Sequence, residues 1–281
     1  GLPPQQLIIL GYDRWYAHAV CLMYKPLEGS WERIDVGAVA LPADCRFCAI
    51  AGCLFSLSPP TRERAGCVSR LCPATGTWEH ISTTAWIHHW GWSCAYDRGR
   101  LYGIFKNRVQ SLNVSSGQWE ELPRLSHERG GASLCVVDGR LFVIGGKTAS
   151  VEEYVELQQR WVSVPDMPRA VDGAGTVALD GKLLVIGGRH FIDAFDFHPI
   201  SAVLEYNPRD RSWKELPRML SQRYCCRVTV LWGDLVVIGG LDGTGETLER
   251  VERYDRQSQR WEVMVRLPEP LFSSGATVVQ V

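Results

Sequence analysis

Short apolar runs recur along the chain, each closed by glycine. Leu141-Phe142-Val143-Ile144 ends on Gly145-Gly146, Leu183-Leu184-Val185-Ile186 on Gly187-Gly188, and Leu235-Val236-Val237-Ile238 on Gly239-Gly240. Runs that are apolar throughout and too short for a helix predict strands buried on both faces. Gly-x-Leu opens these runs at Gly139, Gly181 and Gly233, and it recurs at Gly52 and Gly99. Ahead of it stands another apolar run, as in Gly175-Thr176-Val177-Ala178-Leu179, so the two predict a hairpin. After the glycines, Tyr206-Asn207-Pro208-Arg209-Asp210-Arg211-Ser212-Trp213 and Tyr254-Asp255-Arg256-Gln257-Ser258-Gln259-Arg260-Trp261 read as strand, polar turn, strand. Helix signals are nearly absent.

This unit repeats. Trp31, Trp78, Trp119, Trp161, Trp213 and Trp261 are spaced 47, 41, 42, 52 and 48 residues apart. Seven residues before each stands a large side chain: Tyr24, Leu71, Leu112, Tyr154, Tyr206 and Tyr254. Each unit therefore holds four strands, a to d, with Gly-x-Leu between a and b, the large residue on c and tryptophan on d. One four-stranded sheet cannot cover both its faces, whereas sheets stacked around an axis can. The expected fold is all-β: a six-bladed β-propeller with four antiparallel strands per blade, the tryptophans wedged between blades. The first unit lacks room for strand a, while a spare strand-like run, Gly275-Ala276-Thr277-Val278-Val279, follows the last unit. The C-terminal strand is thus expected to close the first blade. The blades fall near 1–41 plus 273–281, 42–85, 86–126, 127–168, 169–220 and 221–272, all in one domain.

The glycine pairs, the following tyrosine and the tryptophan at fixed offset resemble the Kelch-repeat family, and most closely the propellers of the BTB–Kelch class. The set is complete over residues 130–281. In the first half Gly11-Tyr12, Ser58-Pro59 and Phe105-Lys106 stand where glycine pairs belong. The resemblance implies a module that binds a partner protein. In the BTB–Kelch class that partner is a protein to be ubiquitinated, and a BTB domain outside the propeller binds the cullin scaffold. The alternatives are a cytoskeletal or scaffolding propeller without ligase linkage, or a propeller enzyme such as the copper-radical oxidases and a sialic acid mutarotase of this fold.

Charge and cysteine usage narrow the function. The formal net charge of −1 over 281 residues gives no global attraction to nucleic acid or an anionic membrane. No apolar run approaches the roughly 20 residues that span a bilayer. The opening Gly1-Leu2-Pro3-Pro4 lacks the features of a signal peptide and reads as a boundary within a longer protein. The ten cysteines, many in apolar runs like that around Cys135, are expected to be free thiols in the core of a cytoplasmic protein. Cys45-Arg46-Phe47-Cys48 is a lone C-x-x-C without a second pair at zinc-module spacing, so no metal is expected. Phosphate-cradling loops, nucleophile elbows and metalloprotease motifs are missing. Neither catalytic residues nor a cofactor are expected.

The resemblance implies ligand contacts two positions before the glycine that opens strand a, and just after the glycine pair. That register selects Arg46, His89, Arg129, Val171, Arg223 and Ser273, with Asp172, Tyr224, Lys147 and Arg189 beside them. Three arginines and a histidine around one mouth would suit an acidic peptide. The alternative is that these arginines pair with Asp172, Glu128 or other loop acids and merely hold the loops together. A long b–c segment of the fifth blade, Arg189 to Leu204, adds Phe191 and Phe195 as candidate aromatic anchors, with Phe197, His190 and His198 nearby. These rings would either meet the partner or plug their own blade.

Overall fold

The computed structural model describes residues 5–12, 19–35, 46–50, 52–58, 60, 65–72, 77–84, 93–192 and 196–280. Six four-stranded antiparallel sheets follow one another along the chain. The first contains β1 (Gln5–Tyr12), β2 (Ala19–Lys25) and β3 (Ser30–Ile34). The second contains β4 (Arg46–Ile50), β5 (Cys53–Ser58), β6 (Gly66–Cys72) and β7 (Thr77–Thr84). The third contains β8 (Cys94–Asp97), β9 (Arg100–Phe105), β10 (Arg108–Asn113) and β11 (Trp119–Glu121). The fourth contains β12 (Ser133–Val137), β13 (Arg140–Ile144), β14 (Val151–Val155) and β15 (Arg160–Val164). In the fifth, β16 (Gly175–Leu179) and β17 (Lys182–Ile186) are separated by a small hairpin, β18 (Arg189–Phe191) and β19 (Phe197–Pro199), from β20 (Val203–Asn207) and β21 (Ser212–Leu216). The sixth contains β22 (Arg227–Leu231), β23 (Asp234–Ile238), β24 (Arg250–Asp255) and β25 (Arg260–Arg266). The last strand, β26 (Phe272–Gln280), pairs with β1 and completes the first sheet in the order β26-β1-β2-β3. The expected closure by the C-terminal strand is what the structure has.

Local chemistry explains each turn. The a–b hairpins of blades three to six turn on two consecutive residues with positive φ: Arg98-Gly99, Asp138-Gly139, Asp180-Gly181 and Trp232-Gly233. That geometry matches the right-handed twist of the flanking strands and selects glycine at the second position. The glycine pair at the end of strand b is set by space as well as by φ. A Cβ on Gly146 would lie 2.8 Å from Cβ of Arg129, and one on Gly240 would lie 2.8 Å from the Tyr224 carbonyl.

The repeat arithmetic reappears as pairing register. Tyr24, Leu71, Leu112, Tyr154, Tyr206 and Tyr254 each lie directly opposite the tryptophan seven residues later. The indoles reach across to the neighbouring blade. Trp161, Trp213 and Trp261 donate through Nε1 to the carbonyls of Pro123, Pro165 and Pro217 at 2.7, 2.8 and 2.7 Å. Trp31 donates to the Arg266 carbonyl at 2.9 Å, joining the first blade to the last.

The core accordingly lies between blades. One apolar cluster combines Phe142 and Ile144 of the fourth blade with Leu183 and Tyr206 of the fifth; another combines Leu184 and Ile186 of the fifth with Leu235 and Tyr254 of the sixth. Strands a line the central axis, with β12 against β8 and β16, and β22 against β16 and β26. Free cysteines such as Cys135 and Cys21 behave as small apolar groups, and burial pushes each thiol up to about 12. The expectation that every cysteine is free needs correction. Cys48 on β4 and Cys94 on β8 form a disulfide across the boundary between blades two and three. Sequence spacing cannot reveal that pair, because its members lie 46 residues apart and meet only through ring geometry. Among the described residues no helix is long and apolar enough to cross a membrane, and no cluster of three metal-ligating side chains occurs.

Candidate functional site

The b–c loops and the d–a loops emerge on the same face, because each blade begins and ends its antiparallel strands there. This face carries most of the sequence-derived candidates, but not all in the expected role.

Arg129 and Arg223 precede strand a in blades four and six, as the register requires. Both are buried, with side-chain exposure of 0%. Arg129 donates through Nη1 to the carbonyls of Gly145 (3.0 Å) and Ser150 (2.7 Å), and through Nη2 to Glu152 Oε1 (2.7 Å). Arg223 repeats the arrangement, with Gly239 (2.8 Å), Arg250 (2.9 Å) and Glu252 Oε1 (2.5 Å). The structure therefore corrects the expectation of a ring of ligand-facing arginines. These two guanidiniums are consumed internally, tying the glycine pair and strand c to the incoming loop. The alternative of arginines bound by acids holds, although the acids lie on strand c rather than in the loops. Burial pushes the Glu152 carboxyl up, but hydrogen bonds from Arg129 and Ser126 outweigh it and leave Glu152 below the ordinary value.

The fifth blade departs from this pattern. Val171 replaces the arginine and Leu204 replaces the glutamate; both are buried in one apolar cluster. The sequence contained this signal: glutamate two positions before tyrosine accompanies arginine in blades four and six, and both are absent together in blade five.

Without that arginine, the neighbouring residues build a different site. Asp172, buried at 3% exposure, exchanges backbone hydrogen bonds with Arg189: 3.1 Å to its carbonyl and 2.9 Å from its amide. The carboxylate stands 3.4 Å from Arg189 Nε. The Arg189 guanidinium lies over three rings, with its Cζ 5.2 Å from the Phe191 centroid, 4.7 Å from Phe197 and 5.0 Å from Tyr224. Lys147 Nζ sits 4.5 Å from the Phe191 centroid on the other blade. Planar cations over aromatic faces hold such clusters together. Burial raises the Asp172 carboxyl above its ordinary value, although Arg189 and Lys147 pull it down. Gly131 is obligatory here, since a Cβ would lie 2.3 Å from Asp172 Oδ1.

Five candidates, Lys147, Asp172, Arg189, Phe191 and Tyr224, thus converge across blades four, five and six. Phe197, noted only as a neighbour from sequence, is the ring at the centre of the cluster, 5.9 Å from Phe191 and 5.5 Å from Tyr224. The segment after Gly188 is a hairpin rather than an irregular loop, pairing Arg189 with Pro199 and His190 with His198. Its rings are half-buried against Arg189, while Ile192 at its end is 57% exposed. His89 and Phe195 lie outside the described residues, as do the side chains of Arg46 and Ser273. The Arg46 backbone opens β4, and Ser273 lies within β26 rather than in the loop ahead of it.

Comparison with known proteins agrees with this architecture. The Kelch motif matches residues 128–168, 172–220 and 222–268, the fourth, fifth and sixth blades. Kelch-like protein 23 of Pongo abelii is 26% identical over 99% of this chain, which spans 43% of that protein. Kelch-like protein 34 of Homo sapiens is 29% identical over 60% of this chain and 21% of its own length. Human Kelch-like protein 21 is 39% identical over 26% of the chain, only 12% of that protein. The chain therefore spans less than half the length of these relatives. Among solved structures, that of YjhT superposes with a TM-score of 0.68 over 87% of this chain and 90% of that one; at 13% identity the likeness shows the fold alone.

Proposed function

Because this chain is a Kelch-repeat β-propeller resembling the Kelch domains of Kelch-like proteins, we propose that it grips a partner protein with the loop face of blades four to six. The observation that carries this reading is the Arg189 cluster. It sets half-buried rings, an exposed lysine and an exposed isoleucine side by side on loops, and a packed β-scaffold holds them in place. Aromatic and arginine side chains in such settings supply most of the energy in protein interfaces. Lys147 has no salt-bridge partner among the described residues, so an acidic side chain of the partner would pair with it. With Arg129 and Arg223 internally bound, the attraction is local to Lys147 and Arg189.

The resemblance to the BTB–Kelch class extends the proposal. The partner would be a cytoplasmic protein delivered for ubiquitination, with the cullin scaffold engaged by a domain outside residues 1–281. A non-catalytic role follows from the same reading, with a scaffolding propeller as the alternative. The test is quantitative capture of partners by the parent domain and by a Lys147→Glu/Phe191→Ser variant. Specific partners should lose roughly tenfold or more in affinity at an unchanged melting temperature. Equal capture by both would refute the site. Unchanged abundance and ubiquitination of a captured partner after depletion of the full-length protein would leave the interaction standing and replace the ligase role with scaffolding.

A further inference from the structure

The central channel is unusually rich in sulfur. At the mouth on the loop face a cavity of about 80 Å³ is lined by Cys48, Cys94, Cys225 and Cys226, among small residues such as Ser133 and Gly173. A second cavity of about 270 Å³ shares Cys94 and adds Cys135. These five cysteines stand on or beside strands a of four different blades, which the sequence separates by up to 178 positions (226 − 48). Only the ring brings them to one axis.

We propose that Cys48 and Cys94 are a reversible redox modification site: a covalent staple between the innermost strands of blades two and three, made and broken by small thiols and peroxides entering the channel. Three observations carry it. The two Cα atoms lie 6.5 Å apart, inside the range a disulfide spans without backbone movement. Cys48 is buried in the apolar cluster between blades two and three and Cys94 packs against it, yet both also line the channel cavity, which gives a small reagent a path to the pair. Its blade boundary is also where the inner strands approach each other least, β4 and β8 touching less than β12 and β16 or β22 and β26. The staple joins strands whose backbone contact is weakest.

The chemistry balances with reagents of known class. Hydrogen peroxide takes two electrons from the Cys48 thiolate to give a sulfenic acid and hydroxide. The Cys94 thiol then displaces that oxygen, forming the sulfur–sulfur bond and a second water once the first hydroxide is protonated. In reverse, one glutathione thiolate attacks the disulfide, releasing one cysteine thiolate. A second glutathione completes the reduction and leaves as glutathione disulfide. Burial pushes Cys225 up to about 11 and Cys135 up to about 12, which keeps both protonated at neutral pH.

The test uses the 281-residue domain with hydrogen peroxide and reduced glutathione as probes. Peroxide should consume two thiols per chain. Peptide mapping without reductant should find the Cys48 and Cys94 peptides linked, and glutathione should separate them. The oxidised parent should melt roughly 5–10 °C above the reduced parent, a span set by disulfide closure of a loop this long in a domain of this size. Cys48→Ser and Cys94→Ser should each abolish that difference. A peroxide-treated parent without the linked peptide, a link to Cys225 in its place, or an equal melting shift in the serine variants would each overturn the proposal. Should a serine variant fail to fold, peptide mapping and paired melts of the parent decide the matter alone.

Discussion

Arg223 and Glu252 meet at 2.5 Å in a place where neither side chain has any exposed surface. Arg129 and Glu152 meet at 2.7 Å two blades earlier, both buried, and between them the fifth blade puts Val171 and Leu204 in the two equivalent positions. A buried ion pair and an apolar pair therefore serve the same joint. Desolvation makes the ion pair a poor net contributor, but removing one partner strands the other charge in the interior.

That relationship gives a double-mutant prediction. Arg223→Val or Glu252→Leu alone should destabilise the domain by about 3–5 kcal/mol. The double variant, which copies the fifth blade, should recover more than half of that loss. Denaturant unfolding of the three variants measures it. Additive losses would mean that the blade-five solution does not transfer.

Two of the buried carboxylates, Glu152 and Asp172, should give opposite pH dependence. Glu152 is held below its ordinary value near 4.5, so its contribution is complete above that pH and is lost as pH falls through its lower folded value. Asp172 is raised above its ordinary 3.8, so the folded protein holds this proton more tightly and stability falls as pH rises through that window. Side-chain carboxyl titration by NMR should place Glu152 below the ordinary glutamate value and Asp172 above the ordinary aspartate value. Glu152→Gln should flatten the acid limb of the stability curve, and Asp172→Asn should steepen it.

Trp161, Trp213 and Trp261 each combine packing between blades with one hydrogen bond to a proline carbonyl of the neighbouring blade. Trp213→Ala should cost about 3 kcal/mol, the low end of the range for truncating a large ring, because the indole packs against the core but is only partly buried. Trp213→Phe keeps most of the ring but leaves the Pro165 carbonyl without its donor, and should cost about 1–3 kcal/mol. Thermal melts calibrated by denaturant unfolding would check both.

Removal of residues 272–281 should abolish cooperative unfolding. It leaves β1 with an open edge, and takes Ala276 from the apolar cluster shared by the first and last blades. A truncated chain with the parent's sharp transition would show that ring closure does not depend on β26.

The sequence by itself determined the repeat and therefore the fold. Periodic residues such as Tyr206 and Trp213 lie opposite each other because seven residues is one strand, turn and strand. The spare run at 275–279 shows which strand closes the ring. Strand pattern and turn glycines are local properties, so they are legible along the chain. Only the tertiary structure decided the fate of the charges and sulfurs. Arg129 has the same sequence context whether it faces a ligand or Glu152, because burial depends on which strand packs behind it. Arg189, Phe197 and Tyr224 form one cluster because the b–c hairpin of one blade folds onto the loop entering the next. Cys48 and Cys94 likewise meet across a blade boundary that no spacing encodes. Contacts between blades depend on how sheets stack around an axis, and that is a property of the closed ring rather than of any repeat.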